Sequence, residues 1–541
     1  MDKPFAITLD VGSSLVNKTG SWRTERPVYL DLMPPCNDAC PAGENIQQWL
    51  YQAEDGGYEQ AWRQIMLDNP LPAVMGRICY HPCQTACNRG QLDEAVGIHS
   101  VERFLGDEAI KRGWTVTVDI PASGQHVLVV GSGPCGLAAA YHLRRLGHEV
   151  TVVDAQEQLG GMMRYGIPRY RLPREVLDAE IARIVGMGVH VRTDTRVDDL
   201  ATTMSEGGFD AAFLAVGAQV GRHTEIPAGD SARIIDALTL LQQASGDGEG
   251  PQLGQRVVVY GGGNTAMDAA RTARRLGATE AIVVYRRTRD RMPAQPEEVD
   301  EALAEGVRMR WLSTIAAAEG QRLTIERMEL DGNGFPQPTG EFEELDADTV
   351  VLALGQEVAL DLLDGLPDVD VSHGVVAVDD NRMTGHAGVF AGGDMTVGDR
   401  TATTAIGHGK SAARRIDAWL RGSGSPGGAR PALAAYERLN GWYYSDAPAT
   451  VQHELTTARR VSTFDEVTAG LDEETALFEA RRCLSCGNCF GCDNCYGVCP
   501  DNAVLKLGPT EYAVDLVHCK GCGLCAEECP CGAIEMVPET T

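Results

Sequence analysis

"HVLVVGSGPCGLAAAYHLRRLGHEVTVVDA", residues 126 to 155, decides how the middle of the chain folds. An apolar run enters Gly131-Ser132-Gly133-Pro134-Cys135-Gly136, an alanine-rich helical pattern follows, and a second apolar run ends at Asp154. Strand, glycine loop, helix, strand and terminal acid in that order form a βαβ unit that cradles a dinucleotide. In it Gly131 makes the tight turn, Gly133 lets backbone amides approach a pyrophosphate, and Gly136 lets the helix pack on the strand. The helix N-terminus then faces the phosphates, and Asp154 is positioned to accept hydrogen bonds from a ribose diol.

A second copy starts at residue 256, "RVVVYGGGNTAMDAARTARRLGATEAIVVYRRTRDRMPA", with Gly261, Gly263 and Ala266 at the three loop positions. Its second strand ends not on an acid but on Tyr285, Arg286 and Arg287. Arginines there suit a 2'-phosphate, so this copy is expected to bind NADP(H) in preference to NAD(H).

The chain returns through the apolar run "ADTVVLALGQ" at 347 to 356 and reaches "MTGHAGVFAGGDMTVGDRTATTAIGHGKSAARRI" from Met383. A strand ending at Gly392-Gly393-Asp394 before a small-residue helix resembles the second flavin fingerprint of two-dinucleotide-domain flavoproteins. That resemblance implies FAD in the first site, with Asp394 on its ribityl and pyrophosphate region. The expected fold class is multidomain α/β, with two nested Rossmann-like domains: 125–254 and 361–425 for FAD, and 255–360 for NADPH inserted between them. A disulfide reductase needs a cysteine pair beside the flavin, and Cys135 is the only thiol between residues 87 and 483.

The seventeen cysteines are segregated: five lie between 36 and 87, eleven between 483 and 531. Clustered thiols in a large chain without a secretory start point to metal rather than to disulfides. Near the N-terminus they are spaced Cys36-x3-Cys40 and Cys79-x3-Cys83-x3-Cys87, in "PCNDACPAGENIQQW" and "GRICYHPCQTACNRG". With "LGGMMRYGIPRYRLPREV" at 159 to 176, these motifs resemble the small subunit of bacterial glutamate synthase and its relatives, including the N-terminal half of dihydropyrimidine dehydrogenase. The resemblance implies a helical 4Fe-4S domain within residues 1–120, flavin contacts at Gly161 and Met162, and electron passage among NADPH, FAD and clusters. The family commonly has a further CxxC ahead of Cys36, which is missing here. Five thiols then suffice for one cluster, unless a ligand such as Glu102 completes a second; zinc is the alternative occupant, and a surface glutamate the alternative reading of Glu102.

At the other end, Cys489-x2-Cys492-x2-Cys495-x3-Cys499-Pro500 and Cys519-x2-Cys522-x2-Cys525-x3-Cys529-Pro530 are two bacterial ferredoxin runs. Each run supplies three thiolates to one 4Fe-4S cluster and its fourth to the other. One cluster is therefore expected on Cys489, Cys492, Cys495 and Cys529, the second on Cys519, Cys522, Cys525 and Cys499, in an α+β domain over 483–541. Cys483, Cys486 and Cys531 are left without a role, and residues 426–482 read as a linker segment, opening with the Gly/Pro/Ser-rich stretch at 421 to 431.

A formal charge of -29 argues against a nucleic-acid partner, and no apolar run approaches a membrane span. The expected protein is a cytoplasmic electron-transfer flavoprotein subunit in a hetero-oligomer. Its partner would be a 2-oxoacid:ferredoxin oxidoreductase-like catalytic subunit or a ferredoxin. The rivals are a glutamate synthase small subunit serving an amidotransferase and a non-catalytic iron-sulfur scaffold.

Overall fold

The computed structural model describes residues 13–221, 233–245, 250–424 and 430–539. Residues 425–429 of the Gly/Pro/Ser stretch and 1–12 of the N-terminus lie outside them.

Two parallel sheets form the centre. In the first, the strands run in the order Val389–Ala391, Ala211–Leu214, His126–Val130, Glu149–Val153 and His190–Arg192. Their runs of Val, Ala, Leu and Phe are buried on both faces, as a sheet covered by helices requires. The helix Pro134–Arg145 packs against Ala402–Leu420 through small residues, and a Cβ on Gly409 would stand 2.3 Å from the Cys135 carbonyl oxygen. In the second sheet the order is Arg308–Trp311, Glu280–Tyr285, Arg256–Gly261, Thr349–Ala353 and Arg233–Asp236. The strand Arg233–Asp236 and the helix after it, Ala237–Ala244, pack here and not on the first sheet. The division expected at 254 therefore falls before residue 233, because Thr349–Ala353 leaves an open edge that this strand pairs with.

One buried contact fixes the two sheets to each other. Tyr170, from the 159–176 motif, is fully buried under two guanidinium groups of the second domain, Arg275 at 3.7 Å and Arg271 at 4.8 Å from its ring centre. Glu305 holds both arginines, at 2.8 Å from Arg271 Nη2 and 2.6 Å from Arg275 Nη1.

The chain's ends do not form separate domains in sequence order. The strand Glu25–Tyr29 pairs antiparallel with Ile534–Pro538, so the N-terminal arm completes the ferredoxin-like domain. Tyr29 stacks on Tyr512, and its hydroxyl lies 3.3 Å from Cys495 Sγ. Residues 430–482, expected as a linker, wrap the N-terminal helices: Leu433 bridges to Met33, and the helix Glu473–Ala480 packs on Ile98–Arg112 and Ile46–Glu54. At its end Arg482 is 2% exposed. Its five N–H groups donate to the carbonyls of Ala447 and Ala95 at 3.0 Å and Glu94 at 2.6 Å, and to Glu479 at 2.5 Å and Asp93 at 3.3 Å. Arg89 donates back to the Arg482 carbonyl at 2.8 Å.

Glu305→Gln takes from buried Arg275 the carboxylate it pairs with, while Arg271 keeps Glu301 and Glu298, and the uncompensated charge costs about 3 kcal/mol. The expected result in denaturant unfolding is earlier loss of the second dinucleotide domain; an unchanged midpoint would contradict the role given to Glu305.

Candidate functional site

Both glycine loops open into one cavity of about 970 Å³. The two loops are built alike. Gly131, at φ +100°, and Gly261, at φ +151°, each leave no room for a Cβ, which would stand 2.4 Å from the Ala215 oxygen and 2.2 Å from the Ala353 oxygen. A Cβ on Gly133 or Gly263 would meet nothing within 4 Å, because these two residues face the open cavity. Gly136 packs so tightly that its Cβ would lie 1.9 Å from the Gly131 oxygen, whereas Ala266 is accommodated, fully buried, at the third position of the other loop. A paired cradle of bare backbone at two helix N-termini fits two pyrophosphates.

Around the first loop the cavity wall carries Gly161, Met162, Gly393 and Asp394. Burial raises the Asp394 carboxyl above its ordinary range, with Arg400 opposing it. Asp154 departs from expectation. Its carboxylate lies buried beneath the loop, accepting from Ser132 N at 2.7 Å, Ser132 Oγ at 2.5 Å and Gln156 N at 2.8 Å. It shapes the phosphate loop instead of facing the cavity, since Ser132 offers it two donors at close range.

Around the second loop the wall carries Arg286 and Arg287 at the strand end and also Arg291, which reaches it from beyond the following turn and has no mark in the strand-end pattern. Arg287 Nε is buried without a hydrogen-bond partner, a donor left for an anion. Between the loops lie Tyr80 and Arg171, neither singled out from sequence. Arg171, from the first dinucleotide domain, donates to Asp268 at 2.9 Å and pairs with Glu298 of the second.

Ile78 and Tyr80 line this cavity, and between them Cys79 turns away from it. Thr403, next to the wall residue Ala402, donates to Cys79 Sγ at 3.0 Å. Cys79, Cys40 and Cys83 share one nest with Glu102. Glu102 is 6% exposed, accepting from Asn69 at 2.7 Å, so it is not a surface residue. Burial, and then Cys40 and Cys79, push the Cys83 thiol up. Cys36 and Cys87 belong elsewhere: burial raises Cys36, followed by the charges of Cys483, Cys87 and Cys486. The five N-terminal thiols thus do not form one set: Cys36-x3-Cys40 and Cys83-x3-Cys87 each reach across two sites, while Cys79 and Cys83 stay together.

In the ferredoxin-like domain Cys529 lies with Cys489, Cys492 and Cys495. Cys499 lies with Cys519, Cys522 and Cys525 around a cavity of about 20 Å³. Cys531 stands 3.7 Å from Cys529, whose thiol it lowers to about 6 as a hydrogen-bond partner. No three of the described His, Cys, Asp or Glu side chains converge on a single ion.

Residues 125–409 match the pyridine nucleotide-disulphide oxidoreductase family. The chain belongs to that family. Residues 28–114 match the dihydropyrimidine dehydrogenase domain II with its 4Fe-4S cluster, and 512–535 the 4Fe-4S binding domain. It is 35% identical over 498 residues to the NADP(+)-dependent formate dehydrogenase subunit beta of Moorella thermoacetica, covering 84% of this chain and 70% of that one. It is 33% identical over 420 residues to the glutamate synthase [NADPH] small chain of Azospirillum brasilense, covering 72% and 87%. The solved FprA of Mycobacterium tuberculosis in complex with NADPH covers 56% of this chain and 86% of that one, at 19% identity and TM-score 0.47. This family member is a flavin, nicotinamide and 4Fe-4S oxidoreductase, and among its described residues no helix is long and apolar enough to cross a membrane. Although the family is named for a disulfide, residues 125–409 hold one cysteine, the buried Cys135 at the first glycine loop.

Gly133→Val should fold yet purify without flavin absorbance, because its side chain fills the cradle, whereas Gly136→Val should not fold; flavin retained in Gly133→Val would refute the cradle. The double variant Arg286→Ala/Arg287→Ala should raise the NADPH KM about tenfold or more, the worth of a lost charge-assisted contact, and leave NADH little changed. Equal losses for both nucleotides would refute the arginine assignment.

Proposed function

We propose that this chain is the NADP(H)-handling subunit of a larger complex in a reducing, cytoplasmic setting. It exchanges hydride between NADP(H) and FAD and passes single electrons through 4Fe-4S clusters to or from a separate protein. The observation that carries the reading is one cavity lined by both glycine loops, with Cys79 just behind its wall. FAD supplies both hydride exchange and one-electron transfer when bound.

The chain's own residues do the rest. On the flavin side, Gly131, Gly133, Gly136, Gly161, Met162, Gly393 and Asp394 hold the dinucleotide, with Asp154 bracing the loop beneath. On the nicotinamide side, Gly261, Gly263 and Ala266 seat the pyrophosphate, and Arg286, Arg287 and Arg291 take the 2'-phosphate. Arg171 ties the two halves together, so that the nucleotides meet at a set distance. Thr403 bridges from the cavity wall to Cys79 and marks the exit of electrons towards the thiol nests.

The partner is a catalytic subunit of another chain, of the 2-oxoacid:ferredoxin oxidoreductase kind or the formate dehydrogenase kind that one relative's name supplies, or a ferredoxin. An integrated ferredoxin-like domain, braced by the N-terminal arm, favours such a one-electron partner over the amidotransferase of a glutamate synthase. Under anoxic conditions, NADPH should bleach the flavin and then produce the EPR signals of reduced clusters in the same chain. Purification of the complex should yield a redox catalytic subunit. Clusters that stay oxidised with both NADPH and reduced ferredoxin would overturn the reading, and co-purification of an amidotransferase would replace it with the glutamate synthase one.

A further inference from the structure

The turn that precedes the first ferredoxin run, Cys483-Leu484-Ser485-Cys486, is bound into the N-terminal domain by Arg482 and Arg89 on either side of its start. There Cys36, Cys87, Cys483 and Cys486 line one small cavity of about 20 Å³ together with Pro34, Gln47 and Ile98. The volume equals that of the cavity ringed by Cys499, Cys519, Cys522 and Cys525. The molecule therefore contains its own reference for what a four-thiol site of this kind looks like.

The local backbone repeats the comparison. In each ferredoxin turn the residue before the second cysteine adopts a left-handed conformation, Gly491 at φ 78° and Gly521 at φ 73°. Ser485 holds the same position at φ 47°, although it is not glycine. Such a conformation is uncommon for a residue with a Cβ, so the surroundings hold this turn in the shape of the two ferredoxin turns. In all three turns the N–H of that residue is directed to the first cysteine: Ser485 to Cys483 Sγ at 3.4 Å, Gly491 to Cys489, and Gly521 to Cys519. N–H···S hydrogen bonds of this kind stabilise thiolates that carry iron.

We infer that Cys36, Cys87, Cys483 and Cys486 together ligate one 4Fe-4S cluster, to which the two ends of the chain contribute two thiolates each. The x2 spacing of Cys483 and Cys486 wraps one cluster. The x3 pairs divide, Cys36 and Cys87 to this cluster and Cys40 and Cys83 to the nest with Cys79 and Glu102. The CxxC missing ahead of Cys36 is thus replaced by one that arrives from the far end of the chain. Tyr444, with its hydroxyl 3.0 Å from the Leu484 carbonyl oxygen, lies near Cys483 and Cys486 and near Cys529 and Cys531 of the ferredoxin-like domain. The cluster accordingly lies between the N-terminal nest and the ferredoxin-like domain. The inference rests on the 4Fe-4S content of the family and not on the identity of the electron partner.

The test uses the full chain, purified anoxically, with iron and acid-labile sulfide counted per chain and EPR recorded on the reduced protein. C483S/C486S and C36S should each lose about four irons and the same EPR component, while C531S keeps both. Full iron in C483S/C486S beside a loss in C36S, or a loss in C531S alone, would overturn the assignment. Should C483S/C486S fail to fold, C486D keeps a ligand in place: it should retain iron and alter one EPR component, and an unaltered spectrum would overturn the assignment. NADPH-driven dye reduction, measured in parallel, reports on the flavin cavity. Its loss with all iron retained in the wild-type chain would count against the proposed function and leave this site standing.

Discussion

The buried guanidinium of Arg482 is the contact on which the arrangement of the redox centres depends. A guanidinium has five donors in a fixed plane, and here all five are directed at fixed acceptors on residues 93–95, 447 and 479. Three of the acceptors are backbone carbonyls, so the chain on both sides is held in position and not merely paired in charge. Asp93 serves Arg482 and Arg89 at once, and Glu479 also accepts the N–H groups of Gly97 and Thr450. Because Cys483 follows Arg482 directly, and Cys87 stands two residues before Arg89, this network brings thiols from opposite ends of the sequence to one cavity.

The same principle operates between the two dinucleotide domains. Tyr170 under Arg271 and Arg275, with Glu305 behind them, and Arg171 between Asp268 and Glu298 fix the angle between the two dinucleotide domains. Buried charge pairs contribute modestly to net stability, but their loss is costly and their geometry is specific. In this molecule that specificity is used where two cofactors must meet, and again where one domain must deliver electrons to the next.

Much of this was legible in the sequence because local spacing carried the chemistry. The two glycine loops, the Gly393-Asp394 fingerprint and the paired ferredoxin runs rest on turns and helix starts, which neighbouring residues determine. What could not be read depends on long-range packing. The strand Arg233–Asp236 has no local mark of which sheet it joins, and the pairing of Glu25–Tyr29 with Ile534–Pro538 spans nearly the whole chain. Asp154 was assigned to a ribose by its place at a strand end, yet Ser132 captures it. Arg291 and Arg171 enter the cavity from outside the two glycine loops and the strand ends that follow them.

Electron flow through this chain is thus a consequence of how its termini are folded back on its centre. The claim that one iron-sulfur cluster joins those termini is tested most directly by an iron anomalous-difference map of the anoxically crystallised chain. The account predicts a compact iron peak bounded by Cys36, Cys87, Cys483 and Cys486. A map with iron elsewhere and Cys483 and Cys486 as free thiols would contradict it.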